Sequence, residues 1–272
     1  MARTTKHPRF DELPPEAFYD ALAPDYDALT NFDQRFVVER PFFRNLVERF
    51  GIRSAVDAGA GTGFHSLLLA QLGVTVTAVD LSDAMLRGLS ANARRLNLHI
   101  HAIKAGFGDL SSRLTKPVDA LFCLGNTLAH ADSDDTMLKW AGEFARVVRP
   151  GGIVVLQTLN YDRILSEKVR VQGVRETGSK IFVRFYDYRE HDIVFNVLTL
   201  ERRREGLQSH MESVVLHPVT SACLTSLVTK LGLRDVHVFG SIAQEPYDPA
   251  RSRDLVVIAA RSPGDSLSPV LR

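Results

Sequence analysis

Three glycines at alternate positions, Gly59, Gly61 and Gly63, lie between a short apolar run and a helical one, and they constrain the fold more than any other feature. Residues 54–56 read as the end of a buried strand. Residues 64–72 follow as a helix, closed by Gly73. Residues 74–79 alternate valine with small residues, as a buried parallel strand does. Asp80 then stands at the carboxyl end of that strand, where open α/β sheets bind ligands and an acid can accept bonds from a ribose diol. Glycine lets the backbone turn sharply and lets a ligand come close. The helix that follows points free N–H groups and its positive dipole end at that ligand. Strand, glycine turn, helix, strand and acid, in that order, predict a nucleoside-binding α/β fold.

The spacing narrows the ligand. The dinucleotide fingerprint is G-x-G-x-x-G, and Phe64 stands where its third glycine would be. A bulky residue there opposes the close helix–strand packing that accompanies a pyrophosphate. A nucleoside with a smaller tail is still accommodated. An NAD(P)-dependent oxidoreductase stays open as an alternative, disfavoured by Phe64.

A chain of 272 residues, 45% hydrophobic, suits one large domain or one domain with an insertion. With 33 basic and 32 acidic residues, the net charge of +1 points to neither a nucleic-acid nor a membrane-surface binder. Cys123 and Cys223 are far apart and form no C-x-x-C, which fits reduced thiols in a cytoplasmic protein. No apolar run is long enough to span a membrane, and the first residues have no signal-like apolar stretch.

Along the chain, residues 1–13 and 262–272 read as loose tails. Residues 14–50 form an N-terminal helical lid. It holds a short helix after Pro14-Pro15 and a longer one over 33–50, whose apolar stripe is Phe36, Val37, Phe43, Leu46, Val47 and Phe50 and which Pro41 kinks or splits. Ser82 caps a helix to about residue 96. Residues 98–104 are a third strand and 118–124 a fourth. A helix over 134–148 and a Pro-Gly-Gly turn lead into a fifth strand over 153–159. Residues 178–216 alternate in a different texture and predict three antiparallel strands, a meander inserted after the fifth core strand. A helix near 221–231 and an antiparallel pair, 234–239 with 254–260, close the sheet.

With Asp57 before the glycine turn and Asp80-Leu81-Ser82 after it, this stretch resembles the first half of a class I S-adenosylmethionine (SAM) dependent methyltransferase. The resemblance implies a Rossmann-like seven-stranded sheet, mostly parallel with an antiparallel last strand, helices on both faces, and the inserted antiparallel β meander, in a single domain over 1–272. It implies SAM as cofactor, with Gly59, Gly61 and Gly63 around the methionine part and Asp57 fixing the loop from behind. Asp80 takes the ribose. Leu81, Met85, Phe107 and Leu124 complete the pocket. Tyr26 closes over it, or else packs with its hydroxyl in water. Many relatives carry an acid for the adenine amino group where this chain has Gly106. Adenine contacts then fall to backbone groups or Phe107, and Asp109 is either an acceptor or the start of a turn.

SAM carries its own activation, so the protein mainly aligns an acceptor lone pair with the methyl and excludes water. Positioning of that kind supplies ~7–11 kcal/mol. Asn126 and His130, after the fourth strand, are the acceptor-side candidates. His130 is either a general base, its free pKa lying near neutrality, or a hydrogen-bonded structural histidine. A catalytically silent SAM-binding protein therefore also stays open.

Residues 124–130, 159–165 and the meander together resemble the glycine and sarcosine N-methyltransferase branch. That branch has an arginine holding the acceptor's carboxylate where this chain has Leu159, with Arg163, Arg184 or Tyr186 as substitutes unless they are plain surface. Methyltransferases acting on nucleic-acid bases carry an aromatic after the fourth strand that stacks on the flipped base. Gly125-Asn126-Thr127 has none. The expected partner is a small-molecule methyl acceptor at nitrogen or oxygen, with no nucleic acid or membrane; a homo-oligomer is left open and no metal is expected.

Overall fold

The computed structural model describes residues 11–262. The loose tails expected at the two ends lie outside these residues, apart from 11–13 and Ser262. Residues 12 and 13 are docked. The Leu13 N–H donates to the Ser213 carbonyl at 2.8 Å, and Glu12 pairs with Arg189.

The chain opens with three helices, α1 (Pro15–Leu22), α2 (Tyr26–Thr30) and α3 (Phe32–Phe50). Helix α3 is not split at Pro41, which lies inside it. Proline deprives the carbonyl four residues earlier, that of Val37, of its partner. Val37 is 79% exposed, so water can serve that carbonyl. Val37 is thus not part of the buried stripe that periodicity predicted. The buried residue next to it is Glu39, which is paired with Arg35 and His65.

The parallel-sheet core follows as β1 (Ser54–Ala58), α4 (Phe64–Gln71), β2 (Thr75–Asp80), α5 (Asp83–Arg95), β3 (His101–Lys104), α6 (Leu110–Arg113), β4 (Val118–Cys123), α7 (Asp134–Val147) and β5 (Val148–Leu159). Ser82 caps α5 by accepting the Met85 N–H at 3.0 Å, and Ser133 caps α7 in the same way. Strand β5 begins before the Pro-Gly-Gly turn expected to precede it. A Cβ on Gly152 would stand 2.5 Å from the Asp119 carbonyl, so only glycine lets β5 lie that close to β4.

After α8 (Tyr161–Glu167) come β6 (Val171–Thr177), β7 (Lys180–Tyr188), β8 (Ile193–Arg203) and β9 (Gly206–Leu216), paired in that order as one antiparallel sheet. The insertion has four strands where three were expected. The extra edge strand, β6, exposes Val171 and Val174 and puts Gly173, Arg175 and Thr177 at its half-buried positions, so no apolar alternation marks it. Finally α9 (Ser221–Lys230), β10 (Arg234–Phe239) and β11 (Asp254–Ala260) complete the main sheet.

That sheet has seven strands in the order β10-β11-β5-β4-β1-β2-β3. Strand β11 is antiparallel to both neighbours, and β5, β4, β1, β2 and β3 are parallel. Strand order reverses between β1 and β4, which opens a crevice at their carboxyl ends. Both faces are covered: Phe43, Leu67 and Phe122 pack on one, Leu121, Phe144 and Leu227 on the other.

The leading helices lie against the core and the insertion together. Asp27 accepts from Asn92 at 2.9 Å and from Thr62, Asp20 from Ser82 and the Ala84 N–H, and Asp25 pairs with Lys180 of β7 at 2.6 Å. No helix among the described residues is long and apolar enough to cross a membrane.

Candidate active site

The glycine turn leaves β1 with its backbone bonded across to β2. The N–H groups of Gly59 and Ala60 donate to the Val79 carbonyl at 2.8 and 3.1 Å. All three glycines have positive φ, a region that L side chains rarely adopt. Two of them are also required by the protein itself: a Cβ on Gly59 would stand 2.5 Å from the Thr127 side chain, and one on Gly63 2.7 Å from Leu89. Gly61 is different. Its Cβ would point into a cavity, with the Tyr26 ring 3.6 Å away.

Asp80 stands beside that turn. One carboxylate oxygen accepts the Gly61 N–H at 2.8 Å and the other the Ser82 N–H at 2.9 Å. Burial raises its pKa above the usual carboxylate range, while these two donors act in the opposite sense. Asp57 sits behind the turn, fully buried, and accepts from Ser66 at 2.6 Å. Burial raises its pKa as well.

The cavity in front of the turn measures about 370 Å³. Tyr26, Gly59, Gly61, Asp80, Leu81, Met85, Phe107, Leu124 and His130 all line it; Asp57, Gly63 and Asn126 do not. Its apolar end is formed by Met85, Phe107 and Trp140, the two rings edge to face at 5.2 Å. Asp109 lies outside the lining. It precedes α6 and pairs with Arg113 at 3.0 Å, which is the turn role.

Asn126 is engaged within the fold. It has φ +70°, donates to the Tyr161 hydroxyl at 2.9 Å and accepts the Leu159 N–H at 3.1 Å. His130 lines the cavity and shares a 2.8 Å hydrogen bond with the Tyr19 hydroxyl through Nε2. Its Nδ1 is buried without a hydrogen-bond partner. Burial lowers the imidazole pKa to about 4, so His130 is neutral at physiological pH. Burial also drives the Tyr19 hydroxyl well above the ordinary tyrosine value.

Sequence reasoning did not single out Tyr19, Arg35, His65, Thr127 or Trp140, which also line the cavity. Arg35 is the one Lys or Arg side chain among the described lining residues. Its guanidinium lies 4.1 Å over the Phe64 ring and its Nε donates to Glu39 at 2.7 Å.

A methyltransferase-domain family model matches residues 55–152, from β1 into the start of β5. A glycine/sarcosine N-methyltransferase of Aphanothece halophytica is 32% identical over 230 residues, covering 85% of this chain and 84% of that protein. The chain belongs to the class I SAM-dependent methyltransferases. A second relative of this methyltransferase, a glycine/sarcosine N-methyltransferase of Parasynechococcus marenigrum, is 34% identical over 52% of the chain and 50% of its own length. A SAM-dependent methyltransferase from Clostridium acetobutylicum shares the fold, with TM-score 0.75 at 14% identity over 90% of this chain and 99% of that one. SAM is accordingly the methyl donor and the chain is an enzyme, which sets aside the oxidoreductase and silent-binder alternatives.

The methyltransferase site fits that donor on its own geometry. Gly61 keeps open a space that any Cβ would enter, a carboxylate flanks it, and an apolar end suits a purine.

Proposed function

We propose that the enzyme methylates a nitrogen atom of a small-molecule amine. His130 carries this reading. It is the imidazole beyond Leu124 and Gly125 on the acceptor side of the cavity, and with its pKa at about 4 it is too weak a base to ionise an alcohol. Tyr19, its hydrogen-bond partner, has its hydroxyl held in the protonated form. An amine needs no base in the site, since it exchanges its proton with water and enters with a free lone pair. The names of the N-methylating relatives support the same choice.

SAM supplies an electrophilic methyl and a neutral leaving group. In this reading the chain's residues bind and align. Asp80 accepts from the ribose diol, Arg35 faces the methionine carboxylate, and Met85, Phe107 and Trp140 enclose the adenine. Tyr26 closes the pocket, and Asp57 and Gly63 hold the turn from behind. Tyr19 and His130 position the acceptor, while Asn126 fixes the β4–β5 edge. The leading helices supply one wall of the cavity, which favours a small acceptor over a macromolecule.

The test is incubation with labelled SAM and matched amines, alcohols and phenols, following S-adenosylhomocysteine. Product is expected with amines and not with alcohols of the same skeleton. Transfer to alcohols with amines inert would overturn the reading.

A further inference from the structure

A buried acid and an imidazole stand behind Arg35. Arg35 and Glu39 are one turn apart on α3, and Glu39 Oε1 accepts from Arg35 Nε at 2.7 Å. His65 is the second residue of α4 and packs against the rings of Phe43 and Phe64. Its Nε2 lies 3.4 Å from Arg35 Nη2 and 3.4 Å from Glu39 Oε2. Glu39 and His65 are each 8% exposed. Arg35 and His65 line the cavity, and Glu39 lies outside its lining.

A ring nitrogen between a donor and an acceptor serves one of them at a time. Without a hydrogen, Nε2 accepts from Arg35; with one, it donates to Glu39. Glu39 Oε2 is buried without a hydrogen-bond partner, which matches the first arrangement and leaves the second latent. Burial opposes ionisation of Glu39, but His65 and Arg35 hold its pKa below the ordinary glutamate value.

The charges around His65 are finely opposed. Arg35 and the positive end of α4 disfavour a proton on the ring. Glu39 favours it, as does Asp57 of β1, which is fully buried within electrostatic reach and has Oδ1 without a partner. Asp254 of β11 acts on the Arg35–Glu39 pair from further out. With His65 neutral, the charges of Arg35 and Glu39 cancel. A ligand carboxylate on Arg35 leaves two acids sharing one guanidinium, and Glu39 is too buried to be left short of counter-charge. A proton on His65 restores the balance. Nε2–H then bonds Glu39 Oε2, and Arg35 Nη2, its acceptor lost, is released to the ligand.

We infer that His65 and Glu39 are positioning residues for the cofactor: a carboxylate meeting Arg35 makes His65 Nε2 take up a proton from solvent, and the resulting imidazolium–Glu39 pair turns the guanidinium onto the ligand. This rests on the assignment of Arg35 to the methionine carboxylate above. Linkage fixes the sign. A group that holds its proton more tightly in the complex than in the free protein makes affinity rise as pH falls.

The test is calorimetric titration of the full chain with S-adenosylhomocysteine, in buffers of different ionisation enthalpy so that protons taken up are counted. The control ligand is 5′-methylthioadenosine, the same nucleoside thioether without the amino-acid tail. Wild type should bind S-adenosylhomocysteine about tenfold more tightly at about pH 6 than at about pH 8, with proton uptake, and the control ligand equally at both. His65→Gln and Glu39→Gln should each lose that pH dependence, and Glu39→Asp, which keeps the charge, should retain it; thermal melting checks each fold. Wild-type binding without proton uptake overturns the proposal, whether or not the variants fold. So does a pH dependence that survives in both glutamine variants. Arg35→Gln should erase the preference for S-adenosylhomocysteine over the control ligand. If the preference persists there, the Arg35 assignment falls and the proposal with it. If it is erased while wild type shows no pH dependence, the proposal alone falls.

Discussion

The carboxylate of Asp80 accepts the backbone N–H of Gly61 at 2.8 Å. The acid at the end of β2 and the turn after β1 are thereby one unit, and a ligand that uses either meets both. Replacing Asp80 with alanine leaves the Gly61 and Ser82 N–H groups without their acceptor and removes the proposed ribose partner. SAM affinity should fall by ~1–3 kcal/mol, the cost of unmet polar groups. Calorimetric titration measures it, and unchanged affinity would remove Asp80 from the ribose.

Gly61→Val should abolish SAM binding. The added side chain projects into the cavity towards Tyr26, and φ +54° is strained for a β-branched residue. Circular dichroism and calorimetry read fold and binding separately. A folded variant that binds SAM normally would mean the turn does not face the ligand.

His130 makes stability depend on pH. Its folded pKa of about 4 lies below the ordinary value of 6.5. Between these values the unfolded chain holds a proton that the folded protein lacks, so stability rises with pH. The contribution is complete above pH ~6.5 and is lost as pH falls through ~4, roughly 3 kcal/mol in all. Urea unfolding across that range should show a steeper pH dependence for wild type than for His130→Gln. Parallel curves would place His130 in water.

Asn126→Ala should act first on stability. It strips partners from the fully buried Tyr161 hydroxyl and from the Leu159 N–H, at a cost of ~1–3 kcal/mol. Denaturant unfolding checks this. A large loss of methyl transfer at unchanged stability would instead put the Asn126 side chain on the acceptor.

Much of the cofactor half of this site is written in one stretch of sequence. Gly61, Asp80, Leu81 and Met85 fall within 25 residues, and turn chemistry, strand ends and helix caps are local signals. The reason for two of the glycines was not local. Gly59 and Gly63 are held to glycine by Thr127 and Leu89, which no spacing rule brings near them. The edge strand β6 was equally silent, since glycine, arginine and threonine occupy its half-buried positions and leave no apolar period.

The sequence by itself determined the order of the strands of the main sheet, the glycine turn and its acid, because each depends on residues a few positions apart. Only the tertiary structure decided which side chains face the reacting end. Tyr19 and His130 are 111 positions apart and share a hydrogen bond, and Arg35 enters the cavity from a helix that precedes the core. Burial sets the charge state of His130, and burial belongs to the packed whole, so no local pattern carries it.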